Sequence, residues 1–341
     1  AGVGPVRREG AMRVLRTGSS SLLGAGVVRA LHGRGDVVVV LQRHPSAVAR
    51  DLGLREILAD LTDAPALGRA MSGVQAVIHL AARVGVVGSR AQFHETNVTG
   101  TRNVLDAARA LDVSRFVVIS SPSVAHSGSA LAGTGADPAD PHHAKGHYSR
   151  SKAQAELDVL AADAPGFATI ALRPHLIWGP GDTQLVGRIV DRARSGRLAL
   201  VGGGRALIDT TYVDNAVDAV VAALDHAQVG HGQALVVSNG EPRTVAELVE
   251  RICAAHGLEA PTRSVPRSVA WTGGAVAEGL WWLGRRTDDP PMTRFLAGQL
   301  ATAHWFDQRR TRQVLDWSPR ISLEEGFTRL AADHRGVPDR T

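Results

Sequence analysis

The sequence predicts an α/β protein, a doubly wound parallel sheet with a smaller mixed C-terminal subdomain. Three observations carry this expectation. Short apolar runs alternate with helix-like segments through the first half of the 341 residues. A turn rich in glycine and serine joins the first run to the first helical stretch. Beyond Pro174 the alternation gives way to mixed loops, short strands and helices.

The apolar runs are Met12–Leu15, Val37–Leu41, a weaker Glu56–Ala59, Ala76–Leu80, Phe116–Ile119 and Ala168–Leu172. Helical segments lie between them at Leu22–His32, Gln92–Leu111 and Ser149–Ala162. Strands that are apolar along their whole length are buried on both faces, which means a parallel sheet covered by helices. Ala125–His147 is rich in Gly, Pro, Ala and His and is expected to be a long loop after the fifth strand. In the C-terminal part Thr244–His256 reads as a helix. Thr244 and Glu247 have capping-box spacing, and Val245, Leu248, Val249, Ile252 and Cys253 share one face. That places Cys253 in the core and not in the role of a nucleophile. Residues 1–11 are expected to be a disordered extension, 12–173 the main domain and 174–335 the subdomain. One strand and helix near 205–240 are expected to return to the main domain.

Composition narrows the function. With 44% hydrophobic residues the chain buries a substantial core. The single cysteine rules out an intrachain disulfide and suits a cytoplasmic protein. No apolar run approaches the roughly 20 residues needed to span a bilayer, and the N-terminal stretch lacks a signal peptide's apolar core. The net charge is +5 and the pI about 10.2, but the basic residues are scattered and only two tyrosines accompany them. Nucleic acid is therefore not expected as a partner. The mild positive field favours anionic ligands such as a phosphorylated cofactor.

The first strand runs into Thr17-Gly18-Ser19-Ser20-Ser21-Leu22-Leu23-Gly24 and then a helix. Such a turn brings backbone N–H groups and the positive helix end to a diphosphate. Arg16 puts a charge inside an otherwise apolar strand, and nothing in the sequence explains it. The second strand ends Leu41-Gln42-Arg43. A carboxylate there would accept hydrogen bonds from both ribose hydroxyls of NAD(H), whereas Arg43 pairs with a 2′-phosphate. NADP(H) is the cofactor this favours. Tyr148-Ser149-Arg150-Ser151-Lys152 opens a helix, so Tyr148 and Lys152 stand at i and i+4 on one face. A nearby ammonium is expected to lower the phenol's ordinary pKa of about 10. His126, His142, His143 and His147 lie in the long loop without recognisable ligand spacing; they are expected to be solvated, and no metal is expected.

These residues resemble, in order and spacing, the motifs of the extended short-chain dehydrogenases, which are built on a Rossmann-type sheet. Thr17–Gly24 resembles their TGxxGxxG fingerprint with Ser21 in place of the middle glycine, a substitution expected to crowd the diphosphate. The resemblance makes Thr17, Gly18, Ser20, Ser21, Leu22, Leu23 and Gly24 cofactor contacts. Asp60 and Leu61 resemble the pair that meets the adenine. Ala81 and Ala82 resemble the turn beside the riboses, and Asn97 the asparagine that braces the active site. Pro174 belongs to a segment, Leu172–Asp182, that is similar to the family's LRP…GP stretch, and Thr211–Asn215 is similar to its YVDN stretch. By the same resemblance Ser121 holds the substrate oxygen, Tyr148 donates the proton, and Lys152 tunes Tyr148 and binds ribose.

Ile208 stands where sugar-nucleotide epimerases of this family carry an arginine for a diphosphate, which points to the 3β-hydroxysteroid-dehydrogenase-like branch. Ser121–Val124, Leu172–Leu185, Asp209–Asn215, Ser238–Pro242 and Pro290–Trp305 further resemble the 2-alkyl-3-oxoalkanoate reductases of bacterial long-chain olefin biosynthesis. The resemblance implies NADP(H) as cofactor and a long-chain hydrophobic β-keto or β-hydroxy acid as partner. A homodimer and association with other olefin-biosynthesis enzymes are compatible with it. Val269–Leu283, with Trp271, Trp281 and Trp282, is suited to walling an alkyl channel, to peripheral membrane contact or to core packing. Trp305 and Trp317 are expected in the core. A steroid or sterol 3β-dehydrogenase and a non-catalytic NADP-binding subunit remain as alternatives.

Overall fold

Seven parallel strands organise the computed structural model, which describes residues 10–85, 87–126, 130–284 and 293–336. They are β1 Arg13–Thr17, β2 Val37–Gln42, β3 Arg55–Leu58, β4 Ala76–His79, β5 Arg115–Ile119, β6 Ala168–Pro174 and β7 Gln233–Val237. Their order across the sheet is β3-β2-β1-β4-β5-β6-β7. The direction of winding reverses between β1 and β4, and ligands of open α/β sheets bind beyond the carboxyl ends at that switch point. Of the expected extension 1–11, residues 1–9 lie outside the described residues, as do 290–292 and the Trp282 side chain.

Alternation along the strands produces two cores. Val14, Val40, Ile78 and Leu172 face one side, where Val27 and Val28 of helix Leu22–Gly33 meet Val217 and Val220 of helix Val213–Asp225. Leu15, Val39, Leu41, Val77 and Phe116 face the other, against Leu67, Val104 and Leu105. The inner strands are thus buried on both faces, as the unbroken apolar runs imply, while the edge strand β3 is partly exposed.

Several expectations need correction. The first strand continues through Arg16, which is fully buried. The expected helix Gln92–Leu111 is three pieces: Arg90–His94, a π-helical turn at Glu95–Thr99, and Gly100–Ala110. The expected loop Ala125–His147 contains a strand, Leu131–Thr134, which pairs in parallel with His304–Phe306. These two strands, Leu207–Ile208 and Arg243–Thr244 form a second, four-stranded sheet. The helix Val245–Ala255 begins with Thr244, whose Oγ1 accepts the Glu247 N–H at 3.1 Å. Only that half of the capping box forms, because the Glu247 carboxylate turns to Arg243 at 3.2 Å. Cys253 is buried in the core, where burial pushes its thiol pKa up. No helix among the described residues is long and apolar enough to cross a membrane.

Candidate active site

The glycine-rich turn is held by the strand it leaves and by the turn after β4. Gly18 has φ +76°, and a Cβ there would lie 2.8 Å from the Ala81 nitrogen, so only glycine fits. Thr17 Oγ1 accepts the Ala81 N–H at 3.1 Å and bonds His79 Nδ1 at 2.8 Å, while His79 Nε2 meets Thr101 Oγ1 at 2.9 Å. Burial, helped by the Lys152 charge, pushes the His79 pKa down to about 3, so this strut is neutral. Ser19 donates its N–H to Gln42 Oε1 at 3.1 Å, tying the turn to the end of β2. Arg43 follows Gln42 and is exposed.

Ser21 turns its side chain back onto its own helix. Its backbone is extended (φ −78°, ψ 160°), and its Oγ folds back to accept the Gly24 N–H at 3.0 Å. It is the N-cap of the helix that begins at Leu22, a role serine fills well. A Cβ at Gly24 would sit 2.7 Å from the Gly18 carbonyl oxygen and 2.9 Å from Arg16 Nη2, so Gly24 is needed for strand and helix to close. Ser20 is exposed at the tip, Leu22 is half-buried and Leu23 is buried. This cradle of tight glycines at a helix N-terminus fits a dinucleotide diphosphate. Leu61 packs under Gly100, and its carbonyl accepts from Asn103 at 3.0 Å. The Asp60 carboxylate is turned to Thr62 of its own loop.

The proposed catalytic side chains converge at the carboxyl end of β5. Lys152 Nζ donates to the Ile119 carbonyl at 2.6 Å, and two residues on, Ser121 hydrogen-bonds the Tyr148 hydroxyl. Ser121 Oγ also lies 3.0 Å from Ser123 Oγ and caps the short 3-10 turn Pro122–Ala125. Ser120 is buried, with its hydroxyl unpartnered. Burial pushes the Tyr148 phenol up to about 12, and the Ser121 hydrogen bond pulls only weakly the other way. The lowering expected from Lys152 does not appear; the opposing pull comes from Ser121. Burial also brings the Lys152 ammonium down to about 8, against the opposing pull of Glu156.

A bracing network surrounds the pair. Asn97, in the π-helical turn, donates to the Arg83 carbonyl at 3.0 Å and to Ser151 Oγ at 2.9 Å, and accepts the Arg83 N–H at 2.6 Å. Ser151 in turn donates to the Tyr148 carbonyl at 2.8 Å. One helical turn beyond Lys152, Glu156 takes a two-pronged ion pair from Arg173 at 2.9 and 2.5 Å, both side chains buried. Sequence reasoning missed Ser151 and Glu156. Their positions at i+3 and i+8 from Tyr148 were the available signal. Pro174 ends β6 directly after Arg173.

Of the loop histidines, His142, His143 and His147 are exposed, but His126 is buried, edge-on to His304 at 5.1 Å. The pairing of Leu131–Thr134 with His304–Phe306 folds that part of the loop inward. Trp317 is buried and Trp305 half-buried, beneath Gly133. Trp271 is half exposed on helix Arg267–Leu283. An apolar cavity of about 60 Å³ lies in the C-terminal half, lined by Leu176, Trp178, Ile208, Leu248, Leu300 and Phe327 among others.

Comparison with known proteins agrees with this geometry. The sequence pattern of the NAD dependent epimerase/dehydratase family matches residues 14–238. A 2-alkyl-3-oxoalkanoate reductase of Stenotrophomonas maltophilia is 42% identical, over 94% of this chain and 99% of its own length. One of Shewanella oneidensis is 37% identical, over 93% of this chain and 84% of its own. Among solved structures, MoeE5 in complex with UDP-glucose and NAD is similar with a TM-score of 0.73 and 25% identity, covering 95% of this chain and 98% of that one.

Proposed function

Since the chain belongs to the NAD dependent epimerase/dehydratase family and is an oxidoreductase of the extended short-chain type, we propose that it reduces the 3-keto group of a long-chain 2-alkyl-3-oxoalkanoate. The product is a 2-alkyl-3-hydroxyalkanoate, the reductant is NADPH, and the setting is olefin biosynthesis in the cytoplasm. The observation that carries the reading is the Tyr148–Ser121 pair at the end of β5. The half-buried phenol, its pKa pushed up to about 12, keeps its proton at neutral pH and so meets a ketone in the protonated form that reduction starts from.

NADPH, when bound, supplies the hydride to the carbonyl carbon. Tyr148 gives its hydroxyl proton to the carbonyl oxygen as the C–H bond forms. The Ser121 hydroxyl donates a hydrogen bond to the same oxygen while charge develops on it. Lys152, fixed by the Ile119 carbonyl, places a cation behind the phenolate that remains. The turn Thr17–Gly24 would hold the diphosphate, and exposed Arg43 would take the 2′-phosphate.

Two features support a hydrophobic substrate. Ile208, in the place an arginine would need in order to grip a sugar nucleotide, is a wall of the apolar cavity. Leu300, another wall, belongs to helix Arg294–Ala301, which packs against helix Arg267–Leu283. That second helix exposes Val269, Trp271, Val276, Leu280 and Leu283, an apolar face suited to admitting an alkyl chain or to meeting a membrane surface or second subunit.

The test is a chain-length series of 2-alkyl-3-hydroxy acids, assayed in the oxidative direction with NADP⁺ and NAD⁺. Each buried CH₂ contributes about 0.8 kcal/mol, so kcat/KM should climb with length as the chain covers the apolar surface of the C-terminal helices, with NADP⁺ preferred. A flat response, or strong inhibition by a UDP-sugar, would defeat the reading. Faster turnover of a 3β-hydroxysteroid than of any fatty substrate would favour the steroid dehydrogenase instead.

A further inference from the structure

Arg16 is the odd residue of β1. Its strand neighbours in register are Val40 and Ile78, both fully buried and apolar, and Arg16 itself has no exposed surface. Its Nη2 donates to the Gly18 carbonyl at 3.3 Å. Its Nε and Nη1 have no hydrogen-bond partner, and no carboxylate among the described residues pairs with it. Burial alone brings its pKa down to about 9. A buried guanidinium with no counter-ion costs several kcal/mol, and among the described residues only the Gly18 carbonyl meets it.

The guanidinium lies where a second positive pole already stands. A Cβ at Gly24 would be 2.9 Å from Arg16 Nη2, so the group sits beneath the glycine-rich turn and beside the first turn of helix Leu22–Gly33. The N-terminus of a helix carries a partial positive charge, and a cation beside it is repelled. That first turn also holds no acidic residue. Two positive poles facing one turn, with no anion supplied by the protein, define a site for an anion from outside. The turn's backbone donors select a diphosphate over a single point charge.

We propose that Arg16 is the buried counter-cation of the cofactor's diphosphate, acting through its charge from beneath the turn Thr17–Gly24. This rests on the dinucleotide reading of that turn. It gives the strand's one buried charge a role, and it offsets the donor that Ser21 takes when it caps Gly24 N–H. It also couples binding to folding: the unliganded protein bears the cost of an uncompensated charge, and diphosphate binding removes it.

The experiment compares the wild type with Arg16→Met, an apolar side chain of similar length. Thermal midpoints are measured without ligand and with inorganic pyrophosphate, and NADPH affinity is measured by titration. Arg16→Met should melt higher than wild type without ligand, respond less to pyrophosphate, and bind NADPH at least tenfold more weakly. Wild-type affinity for both ligands in the variant would overturn the proposal. So would a variant that melts lower than wild type, or fails to fold, without ligand, since the arginine would then be stabilising by itself. Should wild type bind pyrophosphate in an Arg16-dependent manner but neither NADPH nor NADH, the anion site stands and the cofactor reading falls.

Discussion

At the scale of single residues, the site depends on which protonation state burial selects. A phenol pushed up to about 12 keeps its proton across the physiological range, so Tyr148 is charged with a proton before substrate arrives. Tyr148→Phe removes that proton and one hydrogen bond to Ser121. Turnover should fall by roughly 10²–10⁴-fold, the usual contribution of a positioned general acid. Dinucleotide affinity, measured by titration, should stay close to wild type. A variant that retains a tenth or more of the activity would remove Tyr148 from the chemistry. Two further residues show where a local pattern stops being informative. Ser21 breaks the glycine fingerprint, and sequence alone suggests a steric defect. The structure shows a helix cap, because the backbone at Ser21 is extended and has no need of a glycine. Arg16 breaks the apolar pattern of β1, and its meaning rests on what lies above it in space, which strand periodicity does not encode.

At the scale of elements, helix Gly146–Ala161 carries the proposed catalytic pair and is locked to the sheet from two sides. Asn97 and Ser151 hold its first turn, and the Glu156–Arg173 pair holds its middle against β6. Glu156→Gln would leave Arg173 buried and unpaired, and such a loss costs about 3–5 kcal/mol. The urea midpoint should drop accordingly, and Glu156→Leu with Arg173→Met together should recover part of it. No change on Glu156→Gln would mean that the pair does not anchor this helix. The helix itself is legible from its apolar spacing, as are six strands of the main sheet from their unbroken runs. The strand Leu131–Thr134 was not, for a physical reason. Leu-Ala-Gly-Thr has no strong β pattern of its own, and it is fixed by pairing with His304–Phe306, far away in the chain. The π-helical turn Glu95–Thr99 was equally hidden, because a single wide turn inside a helix is too short to show a period of its own.

At the scale of the whole molecule, buried histidines tie stability to pH. Burial, aided by neighbouring charges, brings His79 down to about 3 and His175 and His304 to about 4, and lowers His126 as well. Three of them form a cluster, His304 lying 5.1 Å from His126 and 6.1 Å from His175 between ring centroids. Each is neutral in the fold and titrates near 6.5 once unfolded, so below that pH the unfolded chain binds protons that the folded chain refuses. Their contribution is complete above about pH 6.5 and is lost as the pH falls toward about 4. Asp209 works the other way. Burial raises its pKa to about 6, so the folded state takes up one proton that the unfolded state does not until near 3.8. Four histidines against two carboxylates, since burial raises Asp218 as well, leave the unfolded state with the excess. Each proton of that excess is worth about 1.4 kcal/mol per pH unit, against a total stability of about 5–15 kcal/mol for a folded domain. The urea midpoint should therefore fall steeply between pH 6.5 and 4.5. His304→Phe keeps a ring in the cluster and removes a titrating group whose polar contacts are with Thr302 and the Gln299 backbone. Its midpoint should fall less steeply over the same interval, by close to one proton's worth of slope. A wild-type midpoint that stays level down to pH 4.5, or a His304→Phe profile parallel to it, would show that these imidazoles find protons or partners in the fold that their burial denies them.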